Sequence, residues 1–404
     1  MIVIMAWRNI WRNKTRSIVI MLSIAIGLFS GIAILALYAG MMNSRVRTVI
    51  DVEVGHLQIH HPEFKKDYKP EYTIHDGLKM LKSLTSMPEV KLAVPRSIAT
   101  GMLSTPGGSS GVQINGIIPA QEYLVSKLRD KIIAGNIFSP AKRNQIIIGK
   151  KLADKLKLNI GSKLVLTFTD SSDEIVSGAF RVSAIYQSNN APLDEVNVYI
   201  TMKEINSMLK IGDEFHEIVL ILKQDDYMDT FQSRLSKRFI NSKIETWREI
   251  SPETNLLVKT TDQYSYIIMV IVMLALAFGI INTMLMAILE RTKEIGMMLA
   301  LGTNRIRIFF LVLLETFMLT FVGTPVGILS SWAIISYFNK KGLDLSGMGN
   351  EMMNSFGFDS MIYPEFPVDK ILNVFLIVFL TALFSCLFPA LKALSLQPVE
   401  ALRR

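Results

Sequence analysis

The 404-residue chain is poor in charge and has almost no cysteine: 19% of its residues are Asp, Glu, Lys or Arg, and Cys386 is the one thiol. That cysteine lies inside an apolar run, which excludes a disulfide framework or a cysteine metal cluster within one chain, so any part outside a membrane must stand on its packed core. No G-x-x-x-x-G-K-[ST] stretch occurs, so the phosphate-cradling loop of a P-loop ATPase is absent from these residues and the energy for any ATP-driven work must come from a partner. With 50% hydrophobic residues the chain is too apolar for an ordinary soluble protein, yet too polar to lie wholly in a membrane. The formal net charge is +8. The basic residues form no aromatic-interleaved patch and several flank apolar runs, which argues for a role in membrane orientation and against nucleic acid as a partner.

A helix needs about 20 apolar residues to cross the hydrocarbon, because every backbone group there must be satisfied internally. Four runs qualify: 17–44, 263–289, a third within 305–339 whose uncharged stretch is broken only by Glu315, and 371–391. Arg8, Arg12, Lys14 and Arg16 precede the first; Arg291, Lys293, Arg305 and Arg307 lie between the second and third; Lys392, Arg403 and Arg404 follow the fourth. Because cytoplasmic flanks retain Lys and Arg, both termini and the 290–304 loop are expected inside the cell, with 45–262 and the 340–370 loop outside. Basic residues before an apolar run also describe a secretory signal, but this run is too long and lacks a clear small-x-small site, which favours a retained anchor. In 1–16, Trp7 with Trp11 and Arg8 with Arg12 stand four apart, as an amphipathic helix in the membrane interface requires.

The outer segment changes pattern. Short alternating or β-branched runs at 56–60, 111–118, 145–148, 163–169, 180–185, 197–200 and 217–222 read as strands, each bounded by Gly, Pro, Asn or Asp. Apolar residues near a period of 3.6 at 78–84, 150–158, 202–209 and 227–239 read as helices between them. The expected fold class is therefore an α-helical membrane protein with four transmembrane helices plus an α+β extracytoplasmic domain inserted between the first two. Residues 43–50 and 252–262 continue the flanking spans as helices, a stalk for that domain.

Catalytic and metal motifs are weak. Gly107-Gly108-Ser109-Ser110-Gly111 matches G-x-S-x-G, but a nucleophile elbow leads from strand to helix, whereas strand-like residues 112–114 follow here, so a hairpin loop is expected. An alternating strand puts His56 and His60 on one face and His61 on the other, with no H-E-x-x-H or cysteine nearby, so no metal site is expected. The 22 methionines serve as fillers in and around the spans, or as an adaptable surface for a lipid-like cargo. Glu315 stands out, since an ionisable group about 10 Å into a span is costly and either pairs to fix helix packing or takes part in conformational coupling. Gly323 and Gly327 form a small-xxx-small pair that admits a neighbouring helix, although Pro325 between them makes a kink equally natural.

The most specific stretch is Glu290-Arg291-Thr292-Lys293-Glu294-Ile295-Gly296-Met297-Met298-Leu299-Ala300-Leu301-Gly302. As a helix it carries charge in its first half and Met297, Met298 and Leu301 in its second. Gly302 ends it as a C′ residue and Thr303 caps the next helix. A short half-charged helix between two spans is a docking element. The run E-R-x-x-E-I-G-x-x-x-A-x-G resembles the signature of the FtsX-like permease family, which includes macrolide-exporter (MacB-like) and lipoprotein-releasing (Lol-type) transporters. Residues 114–119, 146–153, 158–162 and 180–186 look like that family's outer domain, Glu315 sits where its members carry an acidic residue, and 389–393 with 398–403 are similar to its C-terminus.

The resemblance implies a permease without enzymatic residues of its own, whose docking helix enters a cleft of a cytoplasmic ABC ATPase. ATP and Mg would then be bound by that partner and no cofactor by this chain. A dimer with a second copy or a paralogue is implied, since four spans are few for a closed path. Three functions remain open: lipoprotein release from the inner membrane, MacB-like efflux of drugs or peptides, and FtsX-like regulation of cell-wall hydrolases. The run Val54-Gly55-His56-Leu57-Gln58-Ile59-His60 is similar to lipoprotein-releasing permeases and favours the first. Lol-type permeases grip a periplasmic carrier with a loop near 169–180, which here is short and polar. The loop around Met348, Met352, Met353 and Phe356 has no expected role.

Overall fold

The computed structural model describes residues 2–12, 14–139, 142–348, 353, 357–359 and 361–394. The tail residues 398–403, Met352 and Phe356 fall outside them. The chain divides into two compact units: one comprises Met1–Met42, Val258–Asp344 and Met361–Arg404, the other Asn43–Leu257 with Leu345–Ser360.

Four helices of the described residues are long and apolar enough to cross a membrane, namely Ser17–Asp51, Pro252–Glu290, Arg305–Lys341 and Ile371–Leu394. Within the first unit, Ile20, Ile24, Leu28 and Ile32 recur about every four residues, so they form one stripe of the first helix. Met269, Met273, Leu276, Ile280, Met284 and Ile288 form the matching stripe of the second. Val312 and Leu319 of the third helix and Val374, Val378, Ala382 and Cys386 of the fourth complete this core. The expected kink residue Pro325 lies inside the third helix, where it removes one backbone donor. The glycines beside it lie close to the first helix: a Cβ on Gly323 would stand 3.1 Å from the Met21 carbonyl oxygen, and one on Gly327 3.0 Å from that of Ala25. Here the small side of the third helix accepts a neighbouring backbone.

The second unit is an α+β domain built on a ten-stranded sheet. Its strands are β1 Leu57–His60, β2 Val90–Thr105, β3 Gly108–Ile117, β4 Ile132–Gly135, β5 Gln145–Gly149, β6 Lys163–Thr169, β7 Ile175–Tyr186, β8 Asn197–Thr201, β9 Glu217–Leu222 and β10 Lys243–Thr246. The order β10-β1-β9-β2-β3-β8-β5-β7-β4, with β6 pairing to β2 and β7, is set by the 16-residue β2. Its first half pairs with β9 and its second half with β3 and β6. Sequence reading missed this strand because Pro95 and Gly101 punctuate it. Gly101 serves the crossing: a Cβ there would stand 2.4 Å from the Thr167 carbonyl oxygen of β6. A core of Leu103, Ile114, Ile146, Ile148, Leu166, Val182, Val198 and Ile205 fills the far half of the sheet.

The first long helix, Lys14–Thr48, does not simply fade into the domain. It widens into a π-helical turn, Val49–Val54, which ends at Gly55 with φ +77°. A Cβ on Gly55 would meet the Val219 side chain at 2.5 Å, so both the left-handed backbone and the contact with β9 require glycine here. The second long helix starts at Pro252 and runs without interruption to Glu290.

Candidate functional site

The stretch Glu290–Gly302 is a joint between helices. The Pro252–Glu290 helix stops, Arg291 leaves helical geometry with φ −100° and ψ 16°, and a separate helix, Thr292–Ala300, follows. Gly302, at φ +85°, closes it, and its amide donates to the Leu299 carbonyl while that of Thr303 donates to Met298. The cap of the next helix is Asn304 rather than Thr303: the Asn304 carboxamide oxygen accepts from the Ile306 amide at 3.0 Å, while the Thr303 amide is used to close the helix before it.

The faces of this helix separate cleanly. Ile295 and Gly296 are buried and Ile295 belongs to the core of the first unit. Glu290, Lys293, Glu294, Met297, Ala300, Leu301 and Gly302 are exposed, and Met298 is half-buried. Met297 is 52% and Leu301 82% exposed, while Ile295 on the same helix is 5% exposed.

Arg291, grouped by sequence with the docking charges, instead turns inward. Its Nη1 donates to Glu315 Oε1 at 2.9 Å and Oε2 at 3.2 Å, and its Nη2 donates to the Asn9 carbonyl at 3.1 Å. Both side chains of the pair are under 10% exposed. One guanidinium therefore ties the start of the Thr292–Ala300 helix to the third apolar helix and to the short N-terminal helix Ile2–Arg12. Glu294 adds a second tie to that N-terminal helix, accepting from Arg12. Ser17, on the Lys14–Thr48 helix, donates to the Ile10 carbonyl of the N-terminal helix at 2.7 Å. In the N-terminal helix Ala6 and Ile10 are buried, while Trp7 and Trp11 are exposed and meet edge-on at 6.1 Å.

Sequence pattern found Glu315 and Arg291 separately but could not pair them, and the link from Arg12 to Glu294 spans 282 positions with no local signal. Ser109 lies on β3, just past the tight hairpin joining β2 to β3, and is exposed without a histidine partner in its hydrogen bonds. His56 Nε2 lies 2.8 Å from Asp225 and His60 Nε2 2.8 Å from Glu245, so each packed histidine has its own partner. Among the described residues, no three His, Cys, Asp or Glu side chains converge to hold a metal ion.

Residues 17–238 match the MacB-like periplasmic core domain, and residues 266–398 match the FtsX-like permease C-terminal domain. Together with the long apolar helices, these matches define a membrane permease of the ABC transporter class. The chain belongs to the FtsX-like permease family, with a MacB-like periplasmic core domain as its α+β unit. It is 23% identical over 420 residues to the macrolide export ATP-binding/permease protein MacB of Campylobacter jejuni, covering 99% of this chain and 60% of that protein. It is also 23% identical to the lipoprotein-releasing system transmembrane protein LolC of Haemophilus influenzae, over 80% of each chain. The chain thus spans about 60% of the length of the first macrolide-export relatives it matches. Among solved structures, the periplasmic region of MacB from Actinobacillus actinomycetemcomitans aligns with 52% of this chain and 95% of that one, at 12% identity and a TM-score of 0.36.

Proposed function

We propose that this chain is the membrane subunit through which a separate cytoplasmic ABC ATPase, which binds ATP and Mg, moves a periplasmic domain, and that the cargo is a lipoprotein leaving the inner membrane. The observation that carries the coupling role is the Thr292–Ala300 helix, with apolar Met297 and Leu301 turned outward while Arg291 at its root grips buried Glu315. An outward apolar face on a helix that already buries its other side suits insertion into a partner's groove. A hinge fixed by a buried ion pair passes displacement on instead of absorbing it. Both termini and the docking helix lie in the cytoplasm and 45–262 in the periplasm, on the strength of the flanking Lys and Arg.

The lipoprotein reading is supported by the match to relatives named for lipoprotein release, one of them aligned over 95% of its length. Acyl chains hold a lipoprotein in a bilayer by about 0.8 kcal/mol per buried methylene, so release on a useful timescale needs driven extraction. A second permease copy or a paralogue completes the cavity. Efflux is the second reading, favoured by relatives named for macrolide export that align with 99% of this chain. Depletion of the protein separates the two: lipoproteins are expected to accumulate in the inner membrane. Normal lipoprotein sorting together with lost drug resistance would replace release by efflux.

A further inference from the structure

The second unit encloses a cavity of about 220 Å³ where β1, β2, β3, β8 and β9 converge beside the π-helical turn. Its walls carry seven charged side chains, and most of the cations are already committed. Arg96, 6% exposed, is held by Glu122 through Nε at 3.0 Å and Nη2 at 2.7 Å. Lys65 donates to Gln58 at 2.7 Å and lies 3.4 Å from Glu245. Glu53 is likewise committed, accepting from Arg45 at 2.7 Å and from Asn190 at 2.8 Å.

Three carboxylates are without a hydrogen-bonded cation, the buried Asp194 and Glu217 and the exposed Glu253, which accepts from the Ser251 hydroxyl at 3.1 Å, and one ammonium, Lys131, lines the same walls. Glu217 is 3% exposed and its Oε1 accepts no hydrogen bond, its nearest cation being Arg96 Nη1 at 3.6 Å. Asp194, 2% exposed, accepts from the Ser188 amide at 2.8 Å and hydroxyl at 2.5 Å, both neutral donors. A buried carboxylate without a bonded cation is costly, and a bound cation offsets that cost.

We infer that this cavity binds a compact organic cation bearing one or two amino groups, held by Glu217, Asp194 and Glu253. A metal ion is less suited, since it needs converging oxygen ligands and no three such side chains converge among the described residues. Amines use separated acceptors, and Tyr68, Tyr186 and Tyr199 in the same walls offer the aromatic surface on which an ammonium rests. The volume lies below the ~300–1,000 Å³ of pockets for drug-sized molecules, which limits the ligand to a small one. Because Glu53 belongs to the π-helical turn after the first long helix and Glu253 to the first turn of the second, an occupant would touch the roots of both.

The groups facing Asp194 are Lys131, Glu53, Tyr186 and Tyr199. Burial, outweighing the hydrogen bonds from Ser188 and the charge of Lys131, pushes its carboxyl up to about 6. A bound amine favours the ionised form, so binding at pH 6 releases protons and affinity falls as pH drops below 6. The test is calorimetric titration of the full chain in lipid nanodiscs with 1,4-diaminobutane. Saturable binding near one per chain is expected, weakened tenfold or more by Glu217→Gln and by Asp194→Asn, with a buffer-dependent heat at pH 6 that Asp194→Asn abolishes. Lys131→Met, which removes the repelling charge, should tighten binding, a gain that a misfolded variant cannot mimic. Absent saturation, affinity unchanged in both carboxylate variants, weaker binding by Lys131→Met, or tighter binding of calcium chloride at the same carboxylates would each overturn the inference.

Discussion

Removing either partner of the Arg291–Glu315 pair leaves the other charge buried among apolar helices. The pair makes two contacts, at 2.9 and 3.2 Å, with both side chains under 10% exposed, so solvent screens it little. Breaking such a pair from one side costs about 3–5 kcal/mol, whereas replacing both partners by apolar residues of similar volume is often nearly neutral. Arg291→Met and Glu315→Leu should therefore each destabilise by about 3–5 kcal/mol, and the double variant should recover most of that loss, giving a coupling energy of several kcal/mol. Unfolding midpoints of the full chain in bicelles, titrated with a denaturing detergent, measure the cycle. The Asn9 carbonyl loses its donor only when Arg291 is replaced, so the double variant should fall short of the wild type by about 1–2 kcal/mol. Single variants within about 0.5 kcal/mol of the wild type, or a double variant equal to the sum of the singles, would refute a buried ionic hinge.

Further outcomes follow from the close contacts and buried groups. Gly327→Leu places a side chain against the Ala25 backbone and should cost about 1–3 kcal/mol or move the first helix, seen as a lost disulfide cross-link between cysteines engineered on the two helices. Gly149→Ala should be worse tolerated, because its Cβ would stand 2.0 Å from the Asp194 carbonyl oxygen, and circular dichroism of the full chain should show an earlier thermal transition. His216 accepts from the Ile98 amide at 3.0 Å through Nδ1, and Nε2 lies 3.0 Å from the Pro70 carbonyl, so the buried ring is neutral. Burial lowers it to about 4, so its contribution is fully present above pH 6.5 and is lost as pH falls from 6.5 towards 4, on the order of 3 kcal/mol. Denaturant melts between pH 7 and 4 should show that slope reduced in His216→Gln, and an unchanged slope would remove His216 as its source.

Much of the architecture was legible in the chain because it rests on periodicity. Apolar runs of 20 or more residues coincide with helices, and the seven expected strand ranges each fall on a strand, since alternation and β-branching reflect one buried face. What escaped was set by distant neighbours. β2 contains Pro95 and Gly101, which punctuate any local reading, yet it holds the sheet together because β6 and β9 lie across it. The π-helical turn at Val49–Val54 depends on Gly55 against β9. Glu315 was conspicuous by its cost, but its partner was hidden among the charges of a helix that displays the others outward. The polar cavity had no local signature, since its residues come from strands, turns and helix ends scattered between Glu53 and Glu253.

The proposed coupling role is tested most directly by a spectroscopic distance measurement between two spin labels on the α+β unit, in the permease reconstituted with the ABC ATPase proposed as its partner, with and without ATP. An ATP-dependent distance change is expected in the wild type and should disappear in Leu301→Asp, where the exposed apolar side chain is replaced by a charge while the Arg291–Glu315 pair stays intact. An equal ATP-dependent change in Leu301→Asp and in Met297→Asp would contradict it, because the helix between Thr292 and Ala300 would then not be the element on which the ATPase acts.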